Sequence, residues 1–287
     1  MRYLKICALS ILLFLNSCSK KECASTERPT LLVSIAPYQM LVQKIAGDDF
    51  EVTAVVPPNA NPHIYEPTSK QVAELKKGAV WFQIGEPFEK KIAGHLNAKQ
   101  IDLRHGASMI EAETHHCSGC GIDHLDRHIW LSPKQAMLQA DQIAEALKEL
   151  YPQQSAHLEK RRLALKEELS ELDREIADAI QGLASKTFLV SHPAFAYFCR
   201  DYGLHQLSVE FEGKDPRPKD LEALYKKAIA DGATVAICLP QHNNKGAQLI
   251  AEKMHIPVRM IDPYSAHYFE TMRALAAVIK DPYQNHE

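Results

Sequence analysis

The sequence lacks several features that would assign it to a common functional class. Its 33 lysine and arginine residues are balanced by 36 acidic residues, and no basic patch suggests nucleic-acid binding. Beyond the N-terminal segment, no apolar run reaches the roughly 18 residues that a membrane-spanning helix requires. The chain has no Gly-rich phosphate loop ending in Gly-Lys-Ser/Thr and no His-Glu-x-x-His motif. ATP hydrolysis and the common zinc-protease chemistry are therefore not expected.

The first 17 residues have the pattern of a bacterial lipoprotein signal peptide. Arg2 and Lys5 form a positive segment, and residues 6–15 form an apolar core that is too short to span a bilayer permanently. The sequence Leu15-Asn16-Ser17-Cys18 resembles a lipobox, which predicts cleavage and lipidation at Cys18. The alternative is an ordinary signal peptide with an incidental cysteine. Cleavage removes two basic residues and no acid, so the formal charge changes from −3 to −5.

Cysteine use fits an extracytoplasmic protein only in part. Cys7 leaves with the signal peptide and Cys18 would carry lipid. An odd number then remains, namely Cys23, Cys117, Cys120, Cys199 and Cys238. Cys117 and Cys120 could form a small disulfide or bind metal. Cys199 and Cys238 could also pair.

Strand-like and helix-like patterns alternate from residue 30 onward. The strand-like runs are Leu31–Ala36, Glu51–Val56, Val80–Ile84, Gln100–Leu103, Thr187–Val190, Val235–Leu239 and Val258–Ile261. Helices are predicted to begin at Pro37, after Thr68 and at Ser132-Pro133, and to lie near Ala194–Tyr202, Pro218–Asp231, Lys245–His255 and His267–Ile279. This alternation predicts an α/β fold of two lobes, each with a mainly parallel sheet flanked by helices.

One long amphipathic pattern separates the two halves. Its apolar stripe consists of Leu158, Leu165, Leu169, Leu172, Ile176, Ile180 and Leu183. This spacing predicts a single helix from about Gln153 to Leu183, and its place between two α/β halves favours a connecting helix over a coiled coil. The predicted organisation is a signal peptide over 1–17, a tether over 18–29, an N-terminal lobe over 30–152, a linking helix over 153–184 and a C-terminal lobe over 185–287.

Four short motifs follow strand-like runs or the loops after them. They are Pro62-His63-Ile64-Tyr65-Glu66-Pro67, Arg127-His128-Ile129-Trp130, Ser191-His192-Pro193 and Ile261-Asp262-Pro263. Ligands of open parallel sheets bind beyond the carboxyl ends of the strands. We therefore expect His63, His128, His192 and Asp262 to converge in one cleft, although each histidine alone could be an ordinary surface or core-edge residue.

Three neutral imidazoles and one carboxylate are typical of a tetrahedral zinc site. Manganese would prefer more oxygen ligands, which makes it the second choice. A set filled by protein leaves no position for a reactive water, so the pattern favours metal capture over catalysis. Asp262 could instead accept a hydrogen bond from a ligating histidine.

A second group of soft ligands precedes His128. It comprises His115, His116, Cys117, Cys120 and His124, with Asp123 and Asp126 nearby. We interpret this loop as a weak metal site that scavenges ions or feeds the main site. The alternative is a variable surface loop with a small disulfide.

From about Thr30 to Ile279, the chain resembles the metal-binding solute-binding proteins of ABC transporters, the zinc- and manganese-uptake family. The motifs that carry this resemblance are the hexapeptide around His63, His128-Ile129-Trp130-Leu131-Ser132-Pro133, Ser191-His192-Pro193-Ala194-Phe195, Glu210-Phe211-Glu212-Gly213 and Ile261-Asp262-Pro263. The resemblance implies two α/β lobes joined by one long helix, with metal held between them by His63, His128, His192 and Asp262. In this family, histidine at the third ligand position, here His192, is typical of zinc binders, whereas glutamate at that position is typical of manganese binders. A histidine-rich loop before the second ligand, here His128, is also typical of zinc binders.

The chain departs from the family pattern at two points. Arg127 stands where the family often has proline, which predicts a looser approach to His128. The histidine-rich loop is short and carries two cysteines. We interpret Glu66 as a structural or hydrogen-bonding group rather than a ligand.

These observations predict a protein that captures zinc and delivers it to an ABC permease. We expect it to be a monomer and to have no enzymatic activity. A lipid anchor would hold it to a bacterial membrane, in the periplasm or at the cell surface. Manganese- or iron-binding within the same family is the first alternative. A zinc hydrolase and a surface adhesin are alternatives of other classes.

Overall fold

Two four-stranded parallel sheets form the frame of the chain in this computed structural model, which describes residues 28–111, 125–210 and 217–284. The first sheet contains β1 (Thr30–Val33), β2 (Glu51–Ala54), β3 (Gly78–Gln83) and β4 (Lys99–Asp102), in the order β2-β1-β3-β4. The helices of this half are α1 (Ala36–Ala46), α2 (Ser69–Leu75), α3 (Pro87–Ile92) and α4 (Pro133–Leu150).

The long helix α5 (Ser155–Ile180) leads into the second half. There the sheet contains β5 (Thr187–Val190), β6 (His205–Ser208), β7 (Ala236–Cys238) and β8 (Val258–Met260), in the order β6-β5-β7-β8. Its helices are α6 (Ala196–Tyr202), α7 (Pro218–Ala230), α8 (Lys245–Met254) and α9 (Tyr268–Lys280). The two sheets therefore share one strand order, and the α/β fold class is confirmed.

Each sheet reverses its direction of growth beside its first strand. The chain goes from β1 outward to β2 and then returns to add β3 on the other side, and the second sheet repeats this path from β5. Such a switch point opens a crevice at the carboxyl ends of the central strands. This crevice is where the loops that carry the predicted ligands begin.

Local sequence signals explain where several helices begin and end. Thr68 caps α2 through a capping box with Gln71, and the Ser132 hydroxyl accepts a hydrogen bond from the Gln135 backbone N–H at the start of α4. Helix α1 ends at Gly47, whose φ of 68° is easily adopted by glycine. Strand β6 and helix α3 were not predicted, because each is short and has little periodicity.

Helix α5 is shorter than its apolar stripe predicted. It has 26 residues and spans about 39 Å. At its start, residues Pro152–Gln154 form a separate 3₁₀ turn, and at its end Gln181 has an extended ψ of 131°. Leu183 therefore lies beyond the helix, although it still packs against the core.

The buried face of α5 connects the two halves. It packs against α1 and α4 on one side and against α9 on the other. A single hydrophobic cluster runs through both sheets and α5, while a smaller cluster lies between β7, α7 and α8. The two halves therefore share one core rather than meeting only at a flexible hinge.

No disulfide joins Cys199 and Cys238, so the pairing that the sequence left open is not formed. Cys199 lies on α6 in the main hydrophobic cluster, whereas Cys238 on β7 faces the smaller one. The two side chains thus belong to separate cores. Burial raises the pKa of the Cys238 thiol to about 11, which keeps it protonated.

Several predictions fall on residues outside the described part of the chain. These are the signal peptide, the lipidation of Cys18, and the second ligand group with its Cys117–Cys120 disulfide alternative. Within the described residues, no helix combines the length and apolarity needed to cross a bilayer.

The shared core predicts that α5 stabilises the whole molecule. Leu169→Ala removes a side chain with no exposed surface, and we expect a loss of about 2–5 kcal/mol in the free energy of unfolding. Leu163→Ala on the same helix is the matched control, because Leu163 is 54% exposed and should change stability by less than about 0.5 kcal/mol. Urea titration followed by circular dichroism measures both, and equal losses would contradict the assigned orientation of α5.

Candidate metal centre

Four histidines enter one crevice between the sheets, each from a loop at the carboxyl end of a strand or before a helix. His63 follows β2, His192 follows β5 and His242 follows β7, while His128 lies just before the turn that leads into α4. Local hydrogen bonds fix two of the loops. The His63 backbone N–H donates to Asn61 Oδ1 at 2.9 Å, and the His128 backbone N–H donates to Asp126 Oδ1 at 2.8 Å.

The two histidines of the first lobe face each other through Nε2. His63 Nε2 and His128 Nε2 are 3.3 Å apart, with ring planes at 84°. Two nitrogen ligands of a tetrahedral zinc ion, each about 2.0–2.1 Å from the metal, lie about 3.3–3.4 Å apart. The pair therefore has the spacing of one edge of a tetrahedral site.

The two histidines of the second lobe stack beside this pair. The rings of His192 and His242 are 3.9 Å apart with an interplanar angle of 21°. His192 lies 5.2 Å, centroid to centroid, from both His63 and His128. Ring nitrogens of His63, His192 and His242 all lie within 4.8 Å of one another, a spacing that a single metal ion can bridge.

A carboxylate faces the Nδ1 atom of every ring in this cluster. Glu86 Oε2 lies 3.1 Å from His63 Nδ1, and Asp126 Oδ1 lies 2.7 Å from His128 Nδ1. Glu210 Oε2 serves two rings, at 2.8 Å from His192 Nδ1 and 3.5 Å from His242 Nδ1. Such contacts place the ring proton on Nδ1 and leave a lone pair on Nε2, as in zinc sites whose histidines are oriented by carboxylates.

The inward-facing nitrogens are poorly satisfied by the protein. Among the described residues, Nε2 of His192 and Nε2 of His242 are buried and have no hydrogen-bond partner. The Nε2 atoms of His63 and His128 share one donor, the Tyr264 hydroxyl, at 3.1 and 3.2 Å. Because a hydroxyl donates one proton, most of these lone pairs remain available for a cation.

The pKa values of His63 and His128 are shifted in opposite directions. Burial alone lowers the pKa of His63, but the charge and hydrogen bond of Glu86 outweigh it and raise this pKa above its ordinary value. Burial and the nearby charge of His63 lower the pKa of His128 well below its usual range. Burial also raises the pKa of its partner Asp126 to about 7, a shift that a bound cation would oppose.

The second lobe presents the neutral ring of His192 beside an ionised carboxylate. Burial lowers the pKa of His192 to about 3 despite the hydrogen bond from its ring to Glu210. Burial raises the pKa of Glu210, yet the hydrogen bonds from His192 and His242 hold it well below its ordinary range. His192 is therefore in the protonation state that metal binding needs at neutral pH.

Asp262 follows the end of β8 by two residues, and protein donors hold one of its carboxylate oxygens. Gln241 Nε2 and the Tyr264 backbone N–H each donate to Asp262 Oδ1 at 2.9 Å. The structure thus brings His63, His128 and His192 together and places Asp262 in a hydrogen-bonded turn beside them. Its role as a ligand stays a prediction.

Two other residues singled out from the sequence have clear places. Glu66 forms an exposed ion pair with Lys91 on the surface. Arg127 donates from Nε to the Gly85 backbone carbonyl at 2.7 Å. The loop before His128 is therefore anchored to the one after β3, and the looser approach expected from Arg127 is not observed.

Sequence reasoning missed His242, Glu86 and Tyr264. The signal for His242 was present, because it follows the predicted strand Val235–Leu239 within a polar run, Gln241-His242-Asn243-Asn244. Glu86 lies just beyond β3 and could have been sought by the same rule. Nothing in the pattern marked Tyr264, because its contacts with the histidines arise only from the meeting of the two lobes.

The paired sheets, the long connecting helix and the crevice between the lobes define the class of two-lobed solute-binding proteins. Comparisons with known proteins give the family. A family model described as the periplasmic component A of the zinc-uptake complex, ZnuA, matches residues 31–281. The chain therefore belongs to this family, as the resemblance of its motifs indicated.

Individual relatives agree with this assignment. A Chlamydia trachomatis serovar D protein named for metal binding is 34% identical over 262 residues, which cover 91% of this chain and 93% of that protein. The zinc-binding lipoprotein AdcA of Streptococcus pneumoniae is 28% identical over 225 residues, 74% of this chain but 44% of AdcA. A crystal structure of ZnuA superposes with a TM-score of 0.82 at 33% identity, covering 89% of this chain and 99% of that chain.

The Tyr264 hydroxyl gives a first prediction for the site. A cation that binds His63 Nε2 and His128 Nε2 must displace this hydroxyl, so removing it should favour binding. We expect Tyr264→Phe to raise the affinity for Zn²⁺ about three- to tenfold, the equivalent of one modest hydrogen bond. Competition with a chromophoric chelator measures the change, and Tyr283→Phe at an exposed position is the control. A weaker affinity in Tyr264→Phe would mean that the hydroxyl stabilises the bound ion.

Proposed function

We propose that this protein captures zinc outside the cytoplasm and delivers it to an ABC permease. The observation that carries the proposal is the buried meeting of His63, His128 and His192, whose Nδ1 atoms each face a carboxylate. Imidazoles oriented in this way direct their Nε2 lone pairs into the crevice, where few protein donors can bind them. The family consists of solute-binding proteins that bind metal ions for transport, which is consistent with such a site.

Zinc is the proposed ion because the donors are nitrogens. Imidazole suits zinc, whereas manganese and magnesium favour carboxylate and water oxygens. The structurally similar ZnuA deletion mutant, 32% identical to this chain, was crystallised with zinc bound, and AdcA is named a zinc-binding lipoprotein. Manganese remains the second choice.

The make-up of the site supports capture rather than catalysis. A catalytic zinc keeps one position open for water. Here the rings of His63 and His128 from the first lobe and of His192 from the second line the crevice, with the Asp262 carboxylate beside them, so protein groups can fill the positions around the ion. A zinc hydrolase would need both an open position and a general base.

Release to the permease would use local movement. Helix α5 and the shared core hold the two lobes together, so a wide hinge opening would break many buried contacts. We infer that the ion leaves when the second-lobe loops bearing His192 and His242 shift relative to the first lobe. A lipid anchor at Cys18 would keep the protein near its permease at a bacterial membrane.

Metal binding by paired variants tests this proposal. We expect the mature protein to bind one Zn²⁺ ion, more tightly than Mn²⁺. Loss of a residue that only hydrogen-bonds to a metal ligand costs up to about a hundredfold in affinity, so loss of the ligand itself in His192→Ala should weaken Zn²⁺ binding by more than that. His157→Ala, an exposed change on α5, should leave the affinity unaltered. Competitive titration and native mass spectrometry give affinity and stoichiometry.

Two results would contradict the proposed function. Preference for Mn²⁺ would assign the protein to manganese uptake. Zinc binding that is indifferent to His192 would show that the histidine cluster is not the capture site.

Acidification is expected to release zinc mainly through His63. Zinc binds the neutral imidazole, so any proton on a ligating ring must leave first. The raised pKa of His63 keeps its proton to higher pH, whereas the lowered pKa values of His128 and His192 keep those rings neutral. Below about pH 6.5, the ordinary histidine pKa, only one of these three rings takes up a proton. The apparent affinity for zinc should therefore fall about tenfold per pH unit, rather than the thousandfold expected if all three rings were protonated.

Imidazole nitrogen NMR of the metal-free protein checks this assignment directly. The His63 signals should titrate above the ordinary histidine range, while those of His128 and His192 should not move between about pH 5 and 8. Titration of either of the latter two near pH 6 would contradict the assignment.

A further inference from the structure

His242 is a buried imidazole in the crevice that the family motifs do not include. It lies in the loop after β7, its side chain is 6% exposed, and its ring stacks on His192 at 3.9 Å. It is thus held at the same depth as a proposed zinc ligand and on the same side of the crevice.

The hydrogen bonding of His242 matches that of a ligand. Its Nδ1 faces Glu210 Oε2 at 3.5 Å, the same oxygen that accepts from His192. Its Nε2 is buried with no hydrogen-bond partner in the described part of the chain. A buried polar atom without a partner costs free energy, and such atoms usually have one. A metal ion supplies that partner for two adjacent nitrogens, those of His192 and His242.

The hydrogen bonds of Asp262 indicate that it holds loops in place rather than binding the metal. Its Oδ1 accepts hydrogen bonds from the Gln241 side chain and the Tyr264 backbone N–H. Gln241 directly precedes His242, and Tyr264 carries the hydroxyl that contacts His63 and His128. Asp262 therefore ties together two loops that line the crevice.

We infer that His242 is the fourth protein ligand of the captured metal, and that Asp262 positions the loop that carries it. This inference rests on the proposed function. The site would then consist of four imidazoles, His63, His128, His192 and His242, without a ligating carboxylate. The charge of the ion is balanced by Glu86, Asp126 and Glu210 behind the rings. Four nitrogen donors disfavour Mn²⁺ more strongly than three nitrogens and one carboxylate.

Two substitutions separate the roles of His242 and Asp262. We expect His242→Ala to weaken Zn²⁺ binding by about a hundredfold or more. Asp262→Asn keeps an oxygen that can accept both hydrogen bonds, so it should cost less than about tenfold if Asp262 only positions the loop. His267→Ala, at an exposed position in the same lobe, is the control. Circular dichroism confirms that each variant is folded.

X-ray absorption spectroscopy of the zinc-loaded protein counts the ligands directly. The inference requires four imidazoles in the unaltered protein and three imidazoles with one added oxygen donor in His242→Ala. Three imidazoles and one oxygen in the unaltered protein, or a large loss in Asp262→Asn with none in His242→Ala, would overturn it. Zinc capture would stand in that case, because it fails only if the protein prefers Mn²⁺ or if zinc binding is indifferent to His192.

Discussion

The contact between each imidazole and a buried carboxylate is the interaction on which the candidate metal centre depends. Without Glu86, Asp126 and Glu210, the ring protons would have no fixed place and the Nε2 lone pairs no common direction. With them, four rings from three sheet loops and one pre-helical loop enter one crevice, where ring nitrogens of His63, His192 and His242 lie within 4.8 Å of one another and His128 Nε2 lies 3.3 Å from His63 Nε2. The cluster is unfavourable for a protein alone, since two of these acceptors have no donor among the described residues.

These unpaired acceptors stay close together because the protein structure around them is rigid. Two parallel sheets of identical strand order present their carboxyl ends to one crevice, and α5 packs along both halves. Trp130 Nε1 donates to the Pro263 carbonyl at 2.9 Å, and the Tyr268 hydroxyl donates to the Trp130 carbonyl at 2.8 Å. These buried bonds cross from one lobe to the other close to the site. The crevice is therefore held at a fixed width by direct contacts as well as by the helix.

The sequence was a good guide to elements with strong periodicity. The α/β fold class, the connecting helix and the capped start of α2 all follow from apolar spacing and capping residues. The ends of α5 were overestimated, because an apolar stripe continues through residues that pack against the core without being helical. Strand β6 and helix α3 were missed for the opposite reason, since four and six residues carry too little pattern.

The candidate site was predictable in part. Motifs after strands indicated where His63, His128 and His192 would meet. They could not show that Asp262 faces Gln241 and the Tyr264 backbone, because which side of a loop a carboxylate takes depends on neighbours that are distant in sequence. The carboxylates behind the rings come from three separate segments. Only the folded chain brings them to the histidines.

The division of the imidazoles between the two lobes has a consequence for the metal-loaded protein. With two rings on each side, a bound ion acts as a reversible cross-link across the crevice. Because an unfolded chain cannot assemble these donors, every tenfold rise in free metal above the dissociation constant adds about 1.4 kcal/mol to the free energy of unfolding. Resistance to proteases would then report on metal supply, and the metal-free protein would be the form that is degraded first.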